Sequence, residues 1–305
     1  MSAMRWRLLQ SHLLFAVLMG VVLFAPKSRP GLAPDAALTV ALCLIEGLFL
    51  LTVWRGRKAT LTAPFDIILL VWALLLVWEL MTSVLHRAHP VLIPAPGNVF
   101  DTFREHWAAI LYNVGYSLQL LLTGFCIGLV LAVVLGLFAG WYPRLRAFAY
   151  PIANVMAPIP PTVFAPYLVV LMPTFRSASA CIILLGVFWP QFLNMVLRVS
   201  SLDPKLMDNA RALCVKGPAM VTKIILPYVT PGILQGLRVS LTTAFLMLTF
   251  AEMIGARAGI GFFITNANIY ANYAAVIAGI IVCGVVVTVL SAITSWVQRR
   301  FMLWR

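Results

Sequence analysis

Three carboxylates, Glu46, Glu79 and Glu252, lie in or near long apolar runs of this 305-residue sequence. An ionised side chain there is costly and marks function by default. Glu252 is placed either to pair with Arg257 or to face the outer end of its run, and Glu79 to reach the interface. Trp189-Pro190-Gln191, with Asn194 about one turn later, sets amides on a further run. They serve either hydrogen bonding between helices or the lining of a polar path. Pro158, Pro160, Pro161 and Pro166 interrupt another. Backbone carbonyls freed by proline are tolerated in a membrane only when buried in protein or facing a wet cavity. The path-lining set is therefore Pro158, Pro160, Pro161, Pro166, Gln191, Asn194 and Glu252, with a proline kink packed on its neighbours as the alternative.

Other chemistry finds no footing. The G-x-x-x-x-G-K-[ST] phosphate loop is absent; Gly255–Gly261 is glycine-rich but follows an apolar run and carries no lysine. Cys43, Cys126, Cys181, Cys214 and Cys283 are scattered singly, which gives no metal or redox spacing and suits apolar packing. His12, His86, His89 and His106 read as interfacial side chains. Nine acidic residues spread along the chain supply no convergent catalytic group. No catalytic residue and no metal ligand is assigned, and an enzyme is not expected.

The elements that must carry these residues are membrane helices. The chain is 62% hydrophobic and 10% charged, with a mean hydropathy of +0.99. Continuous apolar runs long enough to cross a bilayer, roughly 20 residues each, indicate helices rather than a barrel. Eight are counted: Leu8–Ala25, Ala36–Trp54, Phe65–Leu85, Asn113–Gly140, Ala147–Met172, Ala178–Val199, Gly232–Ile254 and Ala274–Val297. Arg5 and Arg7 before the first imitate a signal peptide, but without a small-x-small cleavage site an uncleaved span is expected. A net charge of +13 might suggest nucleic acid, but the basic residues stand at the ends of apolar runs. With the N-terminus inside, the outer side receives only Lys27, Arg29, Arg87, Arg104, Arg176 and Arg257 of the 22 Lys and Arg. That bias places both termini in the cytoplasm.

The longest inner loop has structure of its own. Asp203-Pro204 reads as a helix N-cap followed by proline at the first helical position. Leu206, Met207, Ala210, Leu213 and Cys214 then share one helical face. Gly217-Pro218 is expected to stop this helix. A second short helix, Pro218 to Leu226, is expected to end at Pro227. A helix–elbow–helix at the inner surface is either an amphipathic hairpin resting on lipid or a docking element for a cytoplasmic partner.

Asp208-Asn209-Ala210 followed by Ile225-Leu226-Pro227 resembles the "EAA … LP" loop of bacterial ABC importer permeases. Pro231-Gly232-Ile233-Leu234 and Gly236-Leu237-Arg238 are similar to the nitrate/sulfonate/taurine-type subfamily, as are Pro94–Phe103, Pro158–Pro166, Leu193–Pro204 and Ala251–Gly261. The resemblance runs over most of the chain from about residue 65. It implies an all-α polytopic membrane protein: a six-helix type I importer permease core over residues 61–305, preceded by two additional transmembrane helices in residues 1–60. Loop 201–231 would be the coupling loop, with Asp208, Asn209, Ala210, Arg211, Leu213, Cys214, Lys216, Gly217, Leu226 and Pro227 docking an ATP-hydrolysing subunit. Implied partners are two ABC ATPase subunits, a second permease subunit (identical or different), an extracytoplasmic solute-binding protein and membrane lipid. ATP and magnesium would sit on the ATPase, with no cofactor on this chain. The implied location is the bacterial inner membrane, and the cargo a small anion or organic solute of the nitrate, sulfonate or taurine kind. Three positions depart from the family pattern: Asp208 replaces its glutamate, Asn209 its second alanine and Cys214 its glycine, with Gly217 three residues on.

Overall fold

The computed structural model describes residues 2–26, 32, 35–55, 62–215 and 217–301. They form helices joined by short turns, with no strand among them. In chain order these are α1 (Ser2–Phe24), α2 (Ala36–Arg55), α3 (Thr62–Glu79), α4 (Pro96–Trp141), α5 (Pro143–Met156), α6 (Ala165–Leu171), α7 (Phe175–Ser200), α8 (Pro204–Ala212), α9 (Pro218–Met220), α10 (Leu226–Gly255), α11 (Ile260–Ile269) and α12 (Tyr273–Phe301).

Seven helices among the described residues are long and apolar enough to cross a membrane. The expected Ala147–Met172 span is instead a bent pair, Pro143–Met156 and Pro161–Leu171, meeting at 81°. Pro158, Pro160 and Pro161 cause the break, since none can donate to a helix ladder and each clashes with the turn before it. Counting the pair as one crossing gives eight.

Contacts divide the chain into two compact units, residues 1–110 with 264–280, and residues 111–263 with 281–305. In the first, α1, α2 and α3 share a core of Leu18, Val22, Leu38, Leu42, Phe49, Phe65, Ile68 and Trp72. By packing, α3 therefore groups with the two helices before it, although span counting set the boundary at residue 60. Phe49 meets Phe65 edge-on at 5.4 Å, and Arg7 pairs with Asp66 at 2.9 Å. The Nδ1 of half-exposed His12 lies 2.5 Å from Oε1 of buried Glu46.

In the second unit α7 is the central helix. It packs along α10, against α5 and α6, and against one stripe of α4. That stripe is Gly124, Gly128, Ala132, Gly136 and Gly140, one small residue every four. Small residues let membrane helices approach closely, where packing and not hydrophobicity drives association. A Cβ on Gly124 would lie 2.8 Å from that of Ile183 and 2.9 Å from the Ala180 carbonyl oxygen; on Gly136 it would lie 2.5 Å from the Cβ of Met195. Gly115, on the same helix, has nothing within 4 Å.

Two substitutions of identical chemistry should therefore act with opposite sign. Gly115→Ala gains up to about 1 kcal/mol from helix propensity. Gly124→Ala loses about 1–3 kcal/mol to overpacking. Thermal unfolding of the purified protein in detergent reads both, and equal shifts would show that α4 and α7 are not in close contact.

Candidate functional site

The loop over residues 201–231 is built from its caps. The Asp203 carboxylate accepts from the Lys205 N–H at 2.9 Å, starting α8 at Pro204 as expected. Met207 and Ala210 turn inward into a cluster with Met220, Ile225, Val229, Leu137, Met195 and Val199, so the loop is seated on the ends of α4, α7 and α10. Asp208 and Asn209 face outward.

The helix ends at Ala212, five residues before Gly217. Cys214 takes a left-handed conformation, φ 53°, and the Val215 N–H reaches back to the Ala210 carbonyl at 3.0 Å. This is a Schellman cap, in which the left-handed residue is usually glycine. Because the helix ends here, Leu213 and Cys214 leave the face they were expected to share with Met207 and Ala210. Leu213 is 77% exposed. Gly217 supplies a second left-handed turn, φ 59°. Lys216 lies outside the described residues, as does the side chain of Arg211. After Pro218 the chain does not stop at Pro227. A π-helical turn, Val221–Ile225, runs directly into α10 with Leu226 and Pro227 in its first turn. The wider turn gives the proline ring room that a regular helix would deny it.

In the membrane region the residues are less gathered. Pro161 packs against Gly186 of α7, while Pro158, Pro160 and Pro166 are exposed on the bent pair. Gln191 is buried and its amide donates to the Ser240 hydroxyl of α10, with Gly236 beneath it. Asn194, one turn on, is exposed.

Glu252 is fully buried at the end of α10. Its partners are the Ser117 hydroxyl at 2.7 Å and the Gly261 N–H at 2.9 Å, rather than Arg257. Ser117 in turn accepts from the Ile260 N–H at 2.9 Å, and Asn113 accepts from the Gly259 N–H at 2.7 Å. Together the three side chains cap the start of α11, where orphan N–H groups and the positive helix end favour a carboxylate. Gly259 has φ 117°, and a Cβ there would lie 2.3 Å from the Glu252 carboxyl carbon. Ser117 and Asn113 carried no motif that could reveal them; they lie 135 and 143–146 residues from their partners.

Two outcomes follow from this geometry. Glu252→Leu strands the Ser117 hydroxyl and the Gly261 N–H, and should lose roughly 1–3 kcal/mol for each. Glu252→Gln, which keeps one acceptor, should lose less; thermal midpoints in detergent compare them. At the loop, Cys214→Gly removes a left-handed strain of about 1–2 kcal/mol. Hydrogen exchange across residues 210–217 should slow, and unchanged or faster exchange would refute the cap.

Residues 128–302 match the family described as binding-protein-dependent transport system inner membrane component. The chain is 27% identical over 240 residues to the putative aliphatic sulfonates transport permease protein SsuC of Bacillus subtilis (strain 168), covering 78% of this chain and 87% of that protein. It is 25% identical over 264 residues to the taurine transport system permease protein TauC of Escherichia coli (strain K12), covering 82% and 93%. Over 191 residues it is 26% identical to the nitrate import permease protein NrtB of Leptolyngbya laminosa, covering 63% and 68%. In fold it resembles a chain of the inward-facing MetNI methionine ABC transporter, with a TM-score of 0.50 at 18% identity, covering 65% of this chain and 97% of that one. With a membrane-spanning helical architecture and a match across more than half its length, the chain belongs to the family of binding-protein-dependent transport system inner membrane components.

Proposed function

We propose that this chain is the translocation subunit of an ATP-driven importer for a small anion or organic solute of the sulfonate, taurine or nitrate kind. The observation that carries the reading is loop 201–231: an ordered amphipathic helix seated on three membrane helices, with Leu213 and Asp208 presented outward. A leucine left exposed at the end of a seated helix is a good docking knob. The relatives' names, which concern sulfonates, taurine and nitrate, support the cargo class.

In this reading residues 61–305 form the transport core and residues 1–60 an extension. Two such subunits, identical or not, enclose the path in the bacterial inner membrane, with both termini cytoplasmic. The positive bias and the eight crossings obtained with the bent pair as one support that orientation. ATP and magnesium belong to two cytoplasmic ATPases. A solute-binding protein delivers cargo from outside, and ATPase closure moves the paired loops to alternate access. Asp208, Asn209, Ala210, Arg211, Leu213, Cys214, Lys216, Gly217, Leu226 and Pro227 make or shape the docking loop. Pro158, Pro160, Pro161, Pro166, Gln191, Asn194 and Glu252 line or support the path.

The test is co-purification with the ATPase, followed by uptake in proteoliposomes. Asp208→Lys and Leu213→Glu should each weaken ATPase association roughly tenfold or more, as expected for loss of a contact worth about 1.4 kcal/mol. Uptake of a sulfonate should fall with it while the membrane helices keep their thermal midpoint. Retained association and uptake in both variants would remove the docking assignment.

A further inference from the structure

Between α10 and α12 lies a groove of about 670 Å³ lined by Arg238, Val287, Thr288, Ser291, Ala292, Ser295, Trp296 and Arg299. The α12 residues recur at every third or fourth position, so they form one helical face running inward from Arg299, near the inner end of the helix, to Val287. Gln298 donates to the Leu234 carbonyl at 2.5 Å and so ties the two walls together at the groove's inner end.

The groove is electropositive without compensation. Arg238 and Arg299 are exposed, and neither forms an ion pair among the described residues. Between residues 209 and 305 the sequence holds one acidic residue, Glu252, whose carboxylate oxygens are engaged with Ser117 and Gly261. Two arginines in a groove at the membrane's edge select an oxyanion.

The remaining lining distinguishes between oxyanions. Thr288 and Ser295 donate their hydroxyl protons to the Gly284 and Ser291 carbonyls of their own helix. This leaves charge, more than a cage of directed donors, to hold the ligand. Val287, Ala292 and the exposed Trp296 extend the groove with apolar surface along the helix. A small soluble anion has no use for that surface, while an acyl chain does, and Trp at this level is the interfacial residue of a bilayer. Basic pockets between membrane helices on the cytoplasmic side hold anionic headgroups.

We propose that the α10–α12 groove is a binding site for one anionic phospholipid, its phosphate on Arg238 and Arg299 and its acyl chain against Val287, Ala292 and Trp296. The site shares no residue with the docking loop and does not depend on which solute is carried.

The experiment is native mass spectrometry of the full chain released from nanodiscs of phosphatidylglycerol or phosphatidylcholine. The wild type should retain one phosphatidylglycerol per chain in preference to phosphatidylcholine. Arg238→Gln with Arg299→Gln should weaken retention about fivefold per arginine, near 25-fold together. Arg144→Gln with Arg300→Gln removes equal charge outside the groove and should change retention less than twofold. Ala292→Phe fills the groove without altering charge and should also release the lipid, which keeps the test sharp if the arginine pair misfolds. Equal losses in the two arginine pairs would reduce the effect to general surface charge and overturn the site. So would displacement of the lipid by methanesulfonate at equal occupancy, which would make the groove a soluble-anion site.

Discussion

A backbone N–H or C=O that leaves its helix within a bilayer has no water to turn to, and everything in this fold is arranged around that shortage. Where the helices run unbroken the ladder satisfies itself. Where they break, a specific substitute is present. At residues 157–161 the solution is to delete donors: three of the five positions are proline, and the Ala157 and Ile159 N–H groups bond to the Ala153 and Met156 carbonyls. Between α10 and α11 the donors remain, and Asn113, Ser117 and Glu252 are buried to receive them.

The second solution explains why a carboxylate is tolerated there. Intramembrane charge is expensive, but the Glu252 oxygens accept from a hydroxyl and from the first turn of α11, where the helix end is positive. Its burial thus has a structural cause that does not require contact with cargo. Glu46 follows a related logic in the N-terminal bundle, where His12 supplies the partner.

These particulars mark what could and could not be read from the sequence. Spans, N-caps and the location of the broken segment are local signals: apolar runs, Asp-Pro before a helix, clustered prolines. Each was legible because neighbouring residues decide it. The Glu252 network was not, since its members meet only after folding across more than a hundred residues. Cys214 was half legible. Its place in the family pattern pointed to a glycine-like turn, but only the backbone shows that the turn stays at 214 and that Gly217 makes a further one. Helical periodicity puts Leu213 and Cys214 on one face with Met207 and Ala210, but the helix ends at Ala212, before either of them.

The continuity of α10 bears on how the proposed importer would work. A break at Pro227 would have made the loop a flexible tether, able to bind an ATPase but not to push. The π turn at Val221–Ile225 instead joins the loop to a 30-residue helix without a hinge of free backbone. Met207 and Ala210 share a core with Ile225 and Val229, so displacement of α8 must either drag the base of α10 or open that cluster. Opening it exposes buried apolar surface at about 25 cal/mol per Å², whereas tilting α10 with α7 keeps the Gln191–Ser240 bond and the helix contacts intact. Rigid tilting is the cheaper response, and it carries Arg238 and the N-terminal half of α10 with it. A lever of this kind needs a stiff attachment more than a strong one, which is what a capped helix seated on three helix ends provides.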